Sequence, residues 1–403
     1  MNIIFLTLSD INSIYERMIY TDLLREFTRK GHIVYIVSPC ERKNKRSTHI
    51  MDEGICKILK VKIGNIQKTN IVEKGISTIL LESKFKSAIN EYLYNVNFDL
   101  ILYATPPITL VSVVNFLKCR DNAKTYLLLK DIFPQNALDL GLLKKTGIRG
   151  VLYNYFRKKE KKLYKLSDYI GCMSQANVEF VLKNNPEIPY KNVEVCPNSI
   201  ELISIRKDEV NINKTRKKYN IPLDKTVFIY GGNLGKPQGI DFLIECLRSN
   251  KDNDQVYFVI AGSGTEFYKL KAYFDNEKPR NAQLFTQLPK SQYETLVSSC
   301  DVGLIFLDRR FTIPNFPSRL LSYMQASMPV LAATDVNTDI GKIIENGNFG
   351  FWCESRDVKE FNEKLKKLCD VSLQKQMGAN ARRYLEENYT ARHSYEIIMK
   401  HFK

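Results

Sequence analysis

The stretch KTVFIYGGNLG (225–235) is an apolar run that ends in a glycine-rich turn, and a helical pattern follows it. Glycines let backbone N–H groups approach a phosphate, and a helix N-terminus adds a favourable dipole. The turn is neither a Walker loop, because GK[ST] is absent, nor a GxGxxG dinucleotide fingerprint. Tight packing between a strand and a helix also uses glycine, so the turn alone leaves a phosphate site and a packing role open.

Apolar runs of strand length recur on both sides of this stretch, and helical patterns separate them. They lie at 3–8, 32–39, 99–107, 124–134, 168–174 and 193–198 before it, and at 255–264, 282–289, 301–307 and 329–334 after it. Segments 14–30 and 381–403 carry the period of a helix. Strands that alternate with helices are typical of parallel sheets built from βαβ units. The sequence therefore predicts an α/β protein with two doubly wound domains.

The polarity of the chain changes near residue 200, where one series of strands ends and another begins. We place an N-terminal Rossmann-like domain at 1–200 and a C-terminal one at 201–385, since 403 residues suit two cores better than one. Residues 386–403 are expected to form a helix that could cross back to the N-terminal domain. Ligands bind at the carboxyl ends of strands in such sheets, so the two domains are predicted to face each other across a ligand-binding cleft.

Charge and composition restrict the partners of the chain. The formal net charge of +16 suits nucleic acid, a phosphorylated substrate or an acidic lipid surface, although drift toward Lys would explain it equally. We expect a cytoplasmic protein, because residues 1–8 lack the features of a signal peptide and the nine cysteines are scattered without a CxxC pair. No nucleic-acid-binding motif is evident.

The segment NFPSRLLSYMQASMPVLAA (315–333) is the most informative for ligand binding. Pro317 and Ser318 are expected to open a helix, with Ser318 as its capping hydroxyl. Arg319 then lies in the first turn, where the helix dipole opposes a cation unless an anion is bound there. The alternative is an Arg side chain at the protein surface.

Lys130 and Asp131 follow an apolar strand directly. Burial of such charges without partners is costly, so they should face the cleft or bond to each other as a structural ion pair. The four histidines lie outside the loops of the cleft, which argues against a Ser-His or Cys-His nucleophile. Clustered metal ligands are absent, and the DxD pattern at Asp252 to Asp254 precedes a strand, so no metal is expected.

The segment 150–166 is basic and aromatic, with Glu160 as its one acid. Its basic residues are Arg157, Lys158, Lys159, Lys161, Lys162 and Lys165, and an opposite face could be lined by Leu152, Tyr155, Phe156, Leu163 and Leu166. Such a helix could lie on an anionic membrane or could be a domain helix with a solvated basic side.

In this order, the motifs of the chain resemble those of the family-four retaining glycosyltransferases with the GT-B fold, over about residues 2–389. The bacterial subgroup that includes L-fucosamine transferases of surface-polysaccharide assembly is more similar still. The motifs that carry the resemblance are Thr105-Pro106-Pro107, Asp131 to Pro134 (resembling DLWP), Pro197-Asn198, Gly231 to Gly235, and Pro317 to Arg319 with Tyr323, Pro329 and Val330.

The chain departs from the wider family at positions that bind the donor. Two family glutamates would fall on Pro314 and Ser322, and the phosphate-binding Arg and Lys of the glycine loop would fall on Asn233 and Gln238. The resemblance therefore implies a different set of donor-binding residues. That set is Arg17, Gly232, Asn233, Lys236, Gly262, Lys290, Pro317, Ser318, Arg319 and Ser322.

The resemblance implies metal-independent sugar transfer with retention of the anomeric configuration and no cofactor. Positive charge and N–H groups would stabilise the leaving nucleoside diphosphate, preferably UDP, and domain closure would exclude water. Asp131 and Lys130 are expected to position the acceptor or the sugar, and Glu16 is a second catalytic candidate.

The expected acceptor is a saccharide linked to polyprenyl diphosphate, in capsule or O-antigen synthesis at the inner face of the plasma membrane. A hexose or an N-acetylhexosamine is the expected transferred sugar. Two alternatives remain open at this stage. The missing glutamates suit a non-catalytic GT-B subunit that binds a partner glycosyltransferase. A sugar-nucleotide epimerase shares the architecture but needs acids, and usually a His, in the cleft.

Overall fold

The computed structural model describes residues 1–66, 71–204 and 208–402. It divides into two compact units: the first contains Met1–Glu201 and Ala391–Lys403, and the second contains Leu202–Thr390. Among the described residues, no helix is long and apolar enough to cross a membrane.

The first unit is built on an eight-stranded sheet. Its strands are β1 (Asn2–Leu6), β2 (Ile33–Glu41), β3 (His49–Asp52), β4 (Cys56–Ile63), β5 (Leu100–Ala104), β6 (Lys124–Leu129), β7 (Tyr169–Cys172) and β8 (Val193–Val195). They lie in the order β3-β4-β2-β1-β5-β6-β7-β8. Only β3 pairs antiparallel among the described strands of this sheet. Residues 3–6 of β1 and all of β5 are apolar and buried, as expected for central strands of a parallel sheet with helices on both faces.

The helices of the first unit connect these strands. They are α1 (Ile19–Arg29), α2 (Ile71–Tyr92), α3 (Val111–Asp121), α4 (Gln135–Asp139), α5 (Gly147–Leu166) and α6 (Gln175–Asn184).

The second unit contains a six-stranded parallel sheet in the order β11-β10-β9-β12-β13-β14. The strands are β9 (Thr226–Asn233), β10 (Val256–Ser263), β11 (Ala282–Phe285), β12 (Val302–Phe306), β13 (Val330–Thr334) and β14 (Gly350–Glu354). The helices are α7 (Glu209–Lys218), α8 (Ile240–Ser249), α9 (Phe267–Glu277), α10 (Lys290–Ser298), α11 (Arg319–Gln325), α12 (Ile340–Asn346), α13 (Val358–Lys367) and α14 (Val371–Asn388). A last helix, α15 (Ala391–Met399), belongs to the first unit.

Both sheets reverse their strand order once, and this reversal determines where a ligand can bind. In the first sheet, β2 lies on one side of β1 and β5 lies on the other side. In the second sheet, β10 lies on one side of β9 and β12 lies on the other side. The loops after β1 and β5, and those after β9 and β12, therefore diverge and leave a crevice at the carboxyl edge of each sheet. The predicted doubly wound α/β fold is confirmed.

Two helical segments differ from the prediction. The predicted helix 14–30 begins only at Ile19, because tertiary contacts hold the backbone before it: Ile14 N–H donates to Glu53 (2.8 Å), and the Ile14 and Glu16 carbonyls accept from Arg25 (2.7 and 2.9 Å). The segment 381–403 contains the end of α14 and a separate α15, since Ala391 N–H donates to the Ile200 carbonyl (3.0 Å) instead of extending α14.

Helix α15 packs within the first unit. Its Ile398 is fully buried in the core that surrounds β1, and the ring of Tyr395 meets the Phe27 ring of α1 edge-on at 4.8 Å. The last segment is predicted to begin at residue 386, whereas residues 386–388 belong to α14 and to the second unit.

Candidate functional site

The glycine-rich turn lies at the carboxyl end of β9, at the point where the strand order reverses in the second unit. A side chain at Gly231 would place its Cβ 2.0 Å from the Tyr293 hydroxyl, and one at Gly262 would place it 1.9 Å from the Gly232 carbonyl oxygen. Close packing therefore requires both of these glycines. Gly232 differs, because it is exposed and has a φ of 113°, a left-handed conformation that favours glycine.

Arg319 is the first residue of α11, and its guanidinium lies beside Gly232. The guanidinium carbon is 4.1 Å from the centre of the Tyr230 ring, and a Cβ at Gly232 would be 3.8 Å from Arg319 Nη2. The alternative of a surface Arg is therefore wrong: the side chain stacks inward on an aromatic ring. Ser318 has the N-cap position, but its hydroxyl makes no capping hydrogen bond because the residue has helical backbone angles.

The Arg319 guanidinium lacks an acidic partner within the described ranges. No carboxylate there lies within 4.0 Å of it, and Nη1 is buried without a hydrogen-bond acceptor. The side-chain nitrogen of Asn315, in the same segment, is also buried without a partner. Stacking on Tyr230 offsets only part of the desolvation of a cation, so these donors are suited to an anion from solution.

Three tyrosines, Tyr230, Tyr293 and Tyr323, pack around this guanidinium, and of these only Tyr293 lies outside the sequence motifs. Tyr323 on α11 lies over Gly303 and donates to the Ile229 and Leu304 carbonyls, both at 3.1 Å. Tyr293 on α10 packs on Gly231, and burial raises the pKa of its hydroxyl to about 12. The phenols therefore stay neutral at physiological pH and provide no counterion for Arg319.

Asn233 and Gln238 take the places of two phosphate-binding cations, and they bond to each other. Asn233 Nδ2 donates to Gln238 Oε1 (3.0 Å), and this oxygen also accepts from Gly235 N–H (3.2 Å). The pair closes the glycine-rich turn internally. Neither Asn233 nor Gln238 carries the positive charge that the family has at these positions. The cation that stacks inward at the carboxyl edge of this sheet is Arg319.

Apart from Arg17, the remaining predicted donor residues lie on the second unit with Arg319. Pro317 and Ser318 precede α11, and Ser322 is exposed on it. Lys236 begins a short 3₁₀ turn after the glycine-rich turn. Lys290 begins α10 and lies 3.9 Å from the Glu294 carboxylate. Arg17 belongs to the first unit, where it lines a cavity with Arg25, Arg29 and Glu201.

Lys130 and Asp131 follow β6 in the first unit, and they do not form the mutual ion pair that was one of the two alternatives. The Lys130 ammonium donates to the Cys196 carbonyl (3.1 Å), next to β8. Both oxygens of Asp131 accept from Asn136 Nδ2 on α4, each at 2.8 Å. The two side chains diverge because each has a separate local partner.

Burial shifts the pKa of both groups. It raises the pKa of Asp131 to about 6 and lowers the pKa of Lys130. Thr105, a residue of the Thr105-Pro106-Pro107 motif, holds this segment in place. Its hydroxyl accepts a hydrogen bond from the Lys130 N–H (3.0 Å) and donates one to the Asp131 carbonyl (3.2 Å). A carboxyl group held in one orientation with a pKa near neutrality is suited to proton transfer or to binding a hydroxyl.

The loop between β1 and α1 carries Glu16 and Arg17, and a buried lysine holds it in place. Lys60 on β4 is 3% exposed, and its ammonium contacts the Asp10 carboxylate and donates to the Ile11 carbonyl (2.9 Å) and the Ser38 hydroxyl (3.1 Å). Nothing in the sequence patterns identified this lysine.

Replacement of Lys60 by Met is expected to lower the free energy of unfolding by about 1.5–3 kcal/mol, because charge-assisted hydrogen bonds are lost inside the unit. Urea unfolding of the full chain measures this. Asp10→Asn is the control and should cost less, because the Asp10 side chain is 48% exposed. Equal losses in the two variants would contradict an anchoring role of the ammonium.

The described residues contain no group of three or more His, Cys, Asp or Glu side chains that could hold a metal ion. The DxD pattern at Asp252 to Asp254 lies in the turn before β10, at the amino end of that strand.

Comparisons with known proteins agree on one class of enzyme. Residues 211–384, within the second unit, match the family model described as glycosyl transferases group 1. The chain is similar to "Probable glycosyltransferase WbjE" of Pseudomonas aeruginosa, with 26% identity over 296 residues that cover 72% of this chain and 71% of the relative.

Solved structures share the fold at low identity. The chain is similar to WaaG, a glycosyltransferase involved in lipopolysaccharide biosynthesis, with a TM-score of 0.65, 13% identity and coverage of 99% of both chains. It is also similar to Alr3699/HepE of Anabaena in complex with UDP, with a TM-score of 0.68, 15% identity and coverage of 100% of this chain and 99% of that one. The fold is that of the GT-B glycosyltransferases, and the family model and the relative both support a glycosyltransferase.

Proposed function

We propose that this protein transfers a sugar from a nucleoside-diphosphate sugar to a saccharide acceptor, and that the diphosphate of the donor binds at Arg319. The observation that carries the proposal is the buried, unpartnered Nη1 of a guanidinium that stacks on Tyr230 beside an exposed Gly232. A phosphate oxygen would provide the missing acceptor, because the planar fork of Arg matches phosphate geometry.

Arg319 would also stabilise the products of the reaction. Cleavage of the bond between sugar and phosphate leaves an additional negative charge on the nucleoside diphosphate. A fixed guanidinium and backbone N–H groups can stabilise this charge without a divalent cation, because they are already oriented before the reaction. We propose metal-independent transfer with retention of configuration, as the family resemblance implies.

UDP is the proposed nucleotide, and a hexose or N-acetylhexosamine of the L-fucosamine type is the proposed sugar. Two observations support UDP: the resemblance to a subgroup that mostly uses it, and the UDP bound to Alr3699/HepE of Anabaena, which shares the fold. The sugar itself rests on the resemblance to the subgroup.

Asp131 is the proposed group that positions the acceptor hydroxyl and accepts its proton, with Glu16 as the second candidate. The Asn136 amide orients the Asp131 carboxylate, and the raised pKa makes this carboxylate a better base than an exposed Asp. The bond to the Cys196 carbonyl gives Lys130 a positioning role at the end of β6.

The proposed acceptor is a saccharide linked to polyprenyl diphosphate, extended during synthesis of a surface polysaccharide such as capsule or O-antigen. The similarity to a glycosyltransferase involved in lipopolysaccharide biosynthesis supports a role in surface-polysaccharide synthesis, and the lipid-linked acceptor rests on the family resemblance.

The proposed function is tested by measuring nucleoside-diphosphate release from a panel of UDP and GDP sugars, once with EDTA and once with excess magnesium in place of EDTA. The acceptor is a lipid-linked oligosaccharide pool extracted from bacteria that make surface polysaccharide. We expect release from one UDP sugar that depends on the acceptor and is unaffected by added magnesium. Absence of both release and nucleotide binding for every sugar would instead favour the non-catalytic subunit that the missing glutamates at Pro314 and Ser322 suggest.

A further inference from the structure

Helix α5 exposes a contiguous row of large apolar side chains. Ile148, Val151, Leu152 and Tyr155 are 90%, 72%, 44% and 46% exposed, and we call these four residues the apolar stripe. Their spacing of three and four residues places them within about 100° of the helix surface. Leu142, just before the helix, is 58% exposed as well. Single exposed apolar residues are ordinary, whereas a row along one helix face marks an interaction surface.

Basic side chains surround the apolar stripe. Lys144, Lys145 and Arg149 lie at its amino end, and Lys158 and Lys162 continue along the same side at its carboxyl end. All five are exposed, and within the described part of the chain none of them is in an ion pair. The one acid of the helix, Glu160, is 3% exposed and is paired with Arg157 at 2.6 Å. The surface is therefore apolar in its centre and purely cationic at both ends.

The carboxyl-terminal half of α5 packs on the first unit. The predicted division of this helix into one apolar face and one basic face is therefore wrong. Leu163 and Tyr164 are buried, Lys159 pairs with Glu82 (3.0 Å), and Lys161 lies 3.4 Å from Glu187. The predicted apolar face included Leu152, Tyr155 and Leu163 together. In the structure, Leu163 packs inward while Leu152 and Tyr155 face solvent.

The helix also contacts the segment that carries Asp131. The rings of Phe133 and Phe156 meet edge-on at 5.0 Å, and the Tyr153 hydroxyl donates to the Gln135 side-chain oxygen (3.2 Å). Asn136, which follows Gln135, orients the Asp131 carboxylate. A surface bound by α5 would therefore lie close to the proposed acceptor site.

We infer that the apolar stripe docks the protein on an anionic lipid bilayer, with the stripe among the acyl chains and the five cations at the headgroups. This orientation follows from the charge pattern, because an apolar centre with a cationic border complements an anionic interface. The docking itself does not depend on the proposed function. Its role, which is to bring a lipid-linked acceptor to Asp131, rests on the proposed function.

The experiment is cosedimentation of the full chain with phosphatidylcholine vesicles that contain or lack phosphatidylglycerol. The variants are Ile148→Ser with Val151→Ser, and Arg149→Glu with Lys158→Glu. Each pair is expected to lower the partition coefficient on anionic vesicles by at least about tenfold. Two control variants carry the same kinds of change at exposed residues of the second unit: Val336→Ser with Val371→Ser, and Lys359→Glu with Lys366→Glu. Both controls should leave the partition coefficient unchanged.

Equal binding by the wild type and both docking variants would overturn the inference. A wild-type dimer that dissociates in the Ile148→Ser, Val151→Ser variant, without vesicle binding, would also overturn it and assign the stripe to a second copy of the chain. Nucleotide affinity separates this test from the test of the proposed function. The docking variants should bind UDP with wild-type affinity. A wild type that does not bind UDP would refute the proposed donor site and would leave the docking inference standing.

Discussion

Replacement of Arg319 by Ala is expected to weaken binding of UDP by about 100-fold, because a bidentate, charge-assisted contact to the diphosphate contributes roughly 3 kcal/mol. The effect should be large for one residue, since Asn233 and Gln238 satisfy each other and provide no cation at the turn. Isothermal titration with UDP in the presence of EDTA measures the change.

Two variants serve as controls for this loss. Arg319→Lys keeps the charge but loses the planar fork and the stack on Tyr230, so its affinity should lie between those of the wild type and Arg319→Ala. Arg383→Ala removes an exposed Arg from α14 of the same unit and should bind UDP as the wild type does. Wild-type affinity in Arg319→Ala would place the nucleotide elsewhere.

Replacement of Asp131 by Asn is expected to lower kcat by at least about 100-fold and to leave the donor Kd unchanged. The Asn side chain keeps the size of the group but cannot accept a proton. Steady-state rates at saturating donor and acceptor, together with titration of UDP, separate the two effects. Asp139→Asn, an acid on the neighbouring α4, should retain most of the rate. A full rate in Asp131→Asn would remove this residue from the chemistry and leave Glu16 as the candidate.

The pH dependence provides a second, independent measurement on Asp131. Burial raises the pKa of this carboxyl to about 6, so the wild-type rate should fall as the pH is lowered through 6. In the unfolded chain the pKa of an Asp is about 4, so the folded state binds this proton more tightly. The stability that results is complete below pH 4 and is lost as the pH rises to 6. Asp131→Asn should remove this part of the pH dependence of unfolding, and an unchanged dependence would contradict the raised pKa.

The strands and the domain class could be predicted from sequence because each buried strand is an unbroken apolar run between turns, as at Thr226–Asn233 and Val302–Phe306. The strands His49–Asp52, Cys56–Ile63 and Gly350–Glu354 escaped prediction. His49–Asp52 is half-buried and has no apolar run, and lysines interrupt the apolar residues of Cys56–Ile63. The start of α1 escaped prediction for another reason. Residues 14–18 have helical periodicity, but their backbone groups bond to Glu53 and Arg25, which are distant in sequence.

The site was only partly predictable. Arg319 and the glycine-rich turn can be recognised in the sequence as motifs. Residues that surround them in space but are distant in sequence, such as Tyr293, cannot. The absence of a carboxylate near Arg319 among the described residues depends on tertiary structure, as does the packing of Tyr293 on Gly231. The separate partners of Lys130 and Asp131 could not be inferred either, because Cys196 and Asn136 lie in other elements of the first unit.

The most direct test of the central claim is a crystal structure of the protein with UDP bound in the presence of EDTA. We expect a diphosphate oxygen within hydrogen-bonding distance of Arg319 Nη1, with the diphosphate over Gly232 at the carboxyl end of β9. UDP bound at another position, with Arg319 Nη1 still unpartnered, would contradict the proposed donor site.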